Sequence, residues 1–135
     1  MLPYFLDTSF IIALEDADDE NHEKAISFWK SFVKKPKPLI TTSYIFDEVV
    51  TFVKRRIGFL KAVEIGNRIL LSPSVDLIHI SQEEFEKAWE MFLFYKDKKY
   101  SFTDCLSFLV MEKRELREVL TFDQHFKQMG FKILP

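Results

Sequence analysis

The sequence predicts an α/β protein, a three-layer α/β/α sandwich around a mostly parallel central sheet. Two observations carry this. Short apolar runs of strand character alternate with longer stretches of helical periodicity, the pattern of strands joined by helical crossovers. Acidic residues also stand at the ends of several apolar runs, and sheets of this kind bind ligands outside the carboxyl ends of their strands.

Taken in order, Tyr4 to Leu6 reads as a short strand. Ser9 can cap a helix from Phe10 to Glu15, because its hydroxyl can accept from an early amide. Asp16 to Glu20 is a loop or helix start, after which Ala25, Phe28, Trp29, Phe32 and Val33 recur at helical spacing. Pro36 and Pro38 end that helix, and Leu39 to Thr42 forms a second strand. Thr42 or Ser43 then caps a helix whose buried face takes in Ile45, Val49, Phe52, Val53 and Ile57. Gly58 ends it, and Phe59 to Leu71 makes the next helix, closed by Ser72-Pro73. Val75 to Ile80 alternates as a strand. Ser81-Gln82-Glu83-Glu84 is a capping box that opens a helix carrying Phe85, Ala88, Trp89 and Phe92. A helix over Asp104 to Lys113, a strand over Val119 to Phe122 and a short strand over Phe131 to Leu134 complete the chain.

With 135 residues, 47% of them apolar, 15 Phe and only 3 Gly, the chain suits one domain over residues 1–135 with a dense interior. No apolar run reaches the ~18 residues of a membrane span, and the start lacks a signal peptide's basic flank and cleavage site. Cys105 is the only cysteine, so no internal disulfide and no zinc-knuckle spacing exist; a reducing, cytoplasmic location is expected. A formal charge of −2 does not advertise nucleic-acid binding, but the basic residues cluster at Lys34-Lys35-Lys37, Lys54-Arg55-Arg56, Lys96-Lys98-Lys99 and Lys113-Arg114-Arg117. Such clusters suit solvated helix ends. Lys54, Arg55, Lys98 and Lys99 could equally rim an acidic centre and position phosphates.

The chemistry concentrates in four acids set in apolar surroundings: Asp7, Glu48, Asp104 and Asp123. A carboxylate buried without a compensating charge is costly, and crowded carboxylates repel until a proton or a hard cation sits among them. Oxygen-only ligation suits Mg2+ or Mn2+, which activate water for attack on a phosphodiester. Thr8, Ser9, Ser101, Thr103 and Thr121 stand beside the acids and could orient the carboxylates or a metal-bound water. Asp47, next to Glu48, remains an alternative to it. His22, His79 and His125 lack a metal-ligand spacing and read as surface or core residues, with His125 able to touch RNA. Trp29 and Trp89 lie on apolar helix faces and read as core or dimer interface.

Phe5-Leu6-Asp7-Thr8-Ser9, Thr41 to Val49, Ser101-Phe102-Thr103-Asp104-Cys105 and Thr121-Phe122-Asp123-Gln124-His125-Phe126 follow one another in a characteristic order. In these stretches the chain resembles the PIN-domain family of metal-dependent ribonucleases, in particular the small VapC-like toxins of toxin–antitoxin pairs. The resemblance spans nearly the whole chain and implies the PIN-like form of the predicted sandwich. It implies that Asp7, Glu48, Asp104 and Asp123 are the catalytic, metal-binding acids. It further implies Mg2+- or Mn2+-dependent endoribonuclease activity leaving a 5′-phosphate and a 3′-hydroxyl, homodimerisation, and neutralisation by a cognate antitoxin. The alternative expectation is a catalytically inactive PIN-like module that binds RNA or a protein.

Overall fold

A computed structural model describes residues 2–135. Five parallel strands form one sheet in the order β3-β2-β1-β4-β5: β1 Tyr4–Leu6, β2 Leu39–Thr42, β3 Val75–Ile78, β4 Glu118–Leu120 and β5 Lys132–Leu134. Seven helices connect them: α1 Thr8–Glu15, α2 His22–Phe32, α3 Ser43–Arg56, α4 Phe59–Leu71, α5 Gln82–Phe94, α6 Phe102–Lys113 and α7 Gln124–Gln128. The first two connections step away from β1 in one direction, and the β3-to-β4 connection returns across it. Right-handed crossovers therefore send α1 to α4 to one face and α5 to α7 to the other. The helix contacts follow this division, α1 packing on α2 and α3, α3 on α4, and α5 on α6.

The strand order reverses between β1 and β4, whose residues pair Phe5 with Val119 and Leu6 with Leu120. The ladder runs one step further, Asp7 N–H donating to the Leu120 carbonyl at 3.1 Å. Thr41 Oγ1 donates to the Leu6 carbonyl at 2.9 Å, tying β2 to the end of β1. Beneath this rim the core is aromatic. Phe5, Phe10, Phe108 and Phe126 are wholly buried, with Phe126 tilted against Phe5 at 6.4 Å and edge-on to Phe108 at 5.1 Å. Burying each ring contributes roughly 1.5–3 kcal/mol relative to leaving it in water.

Several expected boundaries shift for local reasons. Ser9 does not cap α1; Asp7 occupies the N-cap, and the Ser9 hydroxyl, one turn in, bonds to groups on the sheet rim instead. Thr42 does cap α3, accepting from Ile45 N–H at 3.2 Å. Phe52 and Ile57 are not on the buried face of α3, being 41% and 45% exposed, because Ile45, Val49 and Val53 at four-residue spacing already fill it. Gly58 closes α3 as expected, its N–H donating to the Val53 carbonyl at 3.0 Å, and it also caps the start of α4, at φ +146°, a region that disfavours a side chain. The third strand stops at Ile78 and the fourth at Leu120, earlier than their apolar patterns suggest. Ser81 then caps α5 through the expected capping box, whereas α7, five residues long, carries too little periodicity to be read from sequence. Trp29 packs on Phe10 and Phe32, but Trp89 is not core: it is half exposed on α5 beside exposed Phe85.

Candidate active site

Asp7 is delivered to the rim by β1 and lies almost wholly buried. Its Oδ2 accepts from Thr121 Oγ1 at 2.7 Å and from Ser9 Oγ at 3.0 Å, and those two hydroxyls lie 2.9 Å apart. Burial pushes the Asp7 carboxyl up from 3.8 to about 6, against the pull of these hydrogen bonds, and the Asp104 carboxylate raises it further. No lysine or arginine pairs with it among the described residues. Thr121 and Ser9 do more than hold Asp7. Thr121 Oγ1 accepts from Asp123 N–H at 2.9 Å, and Ser9 Oγ accepts from Phe122 N–H at 3.0 Å. Two hydroxyls thus join the end of β1 to the turn that carries Asp123.

Asp104 sits at the third position of α6 within a second capping box. Ser101 Oγ accepts from Asp104 N–H at 3.0 Å, and Asp104 Oδ2 accepts from Ser101 N–H at 3.0 Å. The helix begins at Phe102, two residues before the position expected from sequence. Asp104 therefore does carry the structural role of a helix-start acid, and the same geometry fixes its rotamer. Glu48 lies in the second turn of α3, exposed, and accepts from Thr8 Oγ1 at 2.7 Å. Asp123 caps α7, its Oδ1 accepting from His125 N–H at 2.9 Å.

Asp7, Asp104 and Asp123 thus come together around the β1/β4 switch point, and Glu48, held through Thr8, lines the same groove as Asp123. Thr8, Ser9, Ser101 and Thr121 each bond to one of them or to its backbone; Thr103 bonds to none among the described residues. The residue that sequence reasoning misplaced is His125. Its Nδ1 lies 3.0 Å from Asp104 Oδ2 and 3.3 Å from Asp123 Oδ1, so it is neither a core nor an unattached surface histidine. Asp104, Asp123 and His125 offer three ligand atoms within 4.8 Å of one another. The signal available in the sequence was its place two residues after Asp123 at a helix start.

An open groove of about 1020 Å³ runs from this centre along one face of α3. Thr8, Ser9, Glu48, Asp123 and His125 line one part, and Asp19, Glu20, Asp47, Phe52 and Arg55 line the remainder. Asp47 faces the groove but is bonded to Thr51 at 3.4 Å rather than to the other acids. Of the basic cluster on α3 only Arg55 reaches the groove. Arg56 is bonded to the buried Asp16 at 2.7 Å, and Lys54 instead sits 5.9 Å above the Phe59 ring beside a cleft between α3 and α4. Lys98 and Lys99 are exposed in the turn just before Ser101. Lys37 is engaged elsewhere, with Glu118 at the opposite end of the sheet. The donor set of carboxylates, hydroxyls and one imidazole, with a carboxyl raised to about 6 by burial and paired with no cation, fits a divalent cation.

Comparison with known proteins agrees with this fold. The PIN domain family profile matches residues 4–132. The chain is 36% identical to the 23S rRNA-specific endonuclease VapC20 of Mycobacterium tuberculosis over 127 residues, 94% of each chain. It is 24% identical to a VapC ribonuclease of Aquifex aeolicus over 129 residues, 94% of this chain and 92% of the other. The crystal structure of VapC20, described as a sarcin-ricin loop cleaving toxin, superposes with a TM-score of 0.88 at 34% identity, covering 98% of this chain and 99% of that one. A toxin–antitoxin complex from Klebsiella pneumoniae shares the fold, with a TM-score of 0.66 at 14% identity over 98% of this chain and 96% of that one.

Proposed function

The chain belongs to the PIN domain family, and on that premise we propose that it is a divalent-metal-dependent endoribonuclease, one nuclease domain over residues 1–135, and the toxin of a toxin–antitoxin pair. The observation that carries the reading is Asp7: a buried carboxyl beside a second carboxylate, bonded by hydroxyls and paired with no cation. Asp7, Glu48, Asp104 and Asp123 would hold Mg2+ or Mn2+. When bound, the ion supplies an activated water and neutralises charge on the phosphodiester.

The chain's own residues do the positioning. Ser9 and Thr121 fix one oxygen of Asp7 and so its rotamer. Ser101 holds Asp104 in one rotamer, and Thr8 orients Glu48 toward α1. Arg55 is the cation placed to receive a backbone phosphate along the groove, with Lys54 turned away; Lys98 and Lys99, exposed in the turn before Ser101, could meet the RNA outside the groove. The 36% identity to a 23S rRNA-specific endonuclease makes ribosomal RNA the first substrate to offer.

Two partner faces belong to the same reading. Phe85 and Trp89 on α5 are half exposed while packed on Phe102, which suits a homodimer interface. Phe59, Leu60 and Leu71 on α4 are well exposed beside the α3/α4 cleft and suit an apolar antitoxin segment. The proposed place of action is the cytoplasm.

Incubation of the full chain with 23S rRNA and Mn2+ or Mg2+ tests the nuclease reading. Cleavage that requires the metal and disappears in Asp104→Asn is the expected result. Cleavage that persists in Asp104→Asn would sink the proposed site, and no cleavage with either metal would favour an RNA- or protein-binding module.

A further inference from the structure

We propose that His125 is a direct nitrogen ligand of the metal at the Asp104–Asp123 end of the site, biasing it toward Mn2+ and later first-row ions over Mg2+. The inference rests on the metal-site reading above. Its first support is distance. Ligands at adjacent corners of an octahedron with bonds of about 2.1 Å stand about 3.0 Å apart. His125 Nδ1 stands 3.0 Å from Asp104 Oδ2 and 3.3 Å from Asp123 Oδ1, close to that spacing from each, and the three atoms lie within 4.8 Å of one another.

The second support is that the ring is held there. Tyr100, itself buried, meets the imidazole edge-on at 5.1 Å and 71°, and its hydroxyl donates to Gln128 Oε1 at 3.2 Å. The backbone of His125 donates to Asp123, and Phe126, wholly buried, anchors the next residue. Nδ1 is therefore aimed at the two carboxylates from a fixed position, as a ligand must be.

The consequence is chemical. Mg2+ is bound through oxygen, whereas imidazole suits the later first-row ions, whose affinities rise from Mn2+ toward Cu2+. One nitrogen among the carboxylates shifts the preference without changing the charge of the site.

Pulsed electron paramagnetic resonance of the Mn2+-loaded full chain tests this directly. The expected spectrum shows strong 14N modulation that becomes 15N modulation on histidine labelling. It persists in His79→Gln and vanishes in His125→Gln. By calorimetric titration, the ratio of Mn2+ to Mg2+ affinity falls about tenfold or more in His125→Gln. Stoichiometric Mn2+ without histidine coupling in the labelled wild type would overturn the proposal, whatever the variants do, as would a coupling that survives in His125→Gln. Failure of the wild type to bind Mn2+, or binding untouched by Asp104→Asn, would instead refute the metal-site reading and the proposal with it.

Discussion

Replacing Asp7 by asparagine should stabilise the metal-free protein and abolish its stabilisation by metal. In the folded state burial holds the carboxyl at about 6, against 3.8 in the unfolded chain. Between those values the folded protein binds the extra proton, so stability is lost as pH rises from about 4 to 6 and stays lost above. About two units at 1.36 kcal/mol each amount to about 3 kcal/mol at neutral pH. Asparagine removes that cost, and its carbonyl oxygen can still accept from Thr121 and Ser9. Urea unfolding in EDTA should therefore show Asp7→Asn gaining about 3 kcal/mol over the wild type at pH 7.5 and almost nothing at pH 4. In Mn2+ at a hundred times its dissociation constant, the wild type alone gains about 2.7 kcal/mol, and the advantage of the variant disappears. A variant no more stable than the wild type in EDTA at pH 7.5, or an advantage that does not change with pH, would refute the account of Asp7 as an uncompensated buried carboxyl.

Two further perturbations separate positioning from mere stability. Ser101→Ala and Ser81→Ala each remove one side of a capping box and should each cost about 1 kcal/mol in urea unfolding. Ser101→Ala keeps the Ser101 N–H bond to Asp104 Oδ2 but removes the hydroxyl that accepts from Asp104 N–H, loosening the first turn of α6. Only this variant should also weaken Mn2+ binding and RNA cleavage, so equal cleavage rates in the two variants would break the link between cap and site. Arg55→Ala should weaken RNA binding and lower its salt dependence by about one ion. Lys54→Ala, turned toward Phe59, should leave both unchanged, and a salt-titrated binding assay decides between them.

The sheet and most helices were legible because their signals are local. Tyr4–Leu6 and Leu39–Thr42 each follow a proline, which cannot donate to a ladder, and the capping box at Ser81 marks α5 unambiguously. The four acids could be placed at the rim because strand ends and helix starts in a parallel sheet share one edge. What could not be read depends on contacts distant in sequence. Ser9 looks like a cap until Thr121 and Phe122, more than a hundred residues later, take its hydroxyl. His125 looks incidental until α6 brings Asp104 to it across 21 residues. The fate of the basic clusters was equally hidden, since Arg55 and Arg56 are neighbours in sequence yet one lines the groove and the other neutralises Asp16.

The candidate site is assembled from parts of unequal stiffness. Asp7 rises from the central strand, and Asp104 is locked by a capping box on a twelve-residue helix buried along much of its length. Asp123 and His125 instead sit at the start of a five-residue helix whose hold on the core runs through Phe126. So short a helix has little stability of its own, and its geometry is borrowed from the packing of Phe126 on Phe5 and Phe108. The two hydroxyl bonds from Thr121 and Ser9 reach backbone amides at this turn, Asp123 and Phe122, rather than its carboxylate. They therefore fix where the turn begins, while the Asp123 side chain is held only within α7 itself, by the N–H of His125. A cation joining Asp104 to Asp123 and His125 would add a cross-link to the hydrogen bonds of His125 with Asp104 and of Tyr100 with Gln128. Metal would then tighten the α7 side of the groove more than the β1 side, because β1 is already held by its neighbours on both edges.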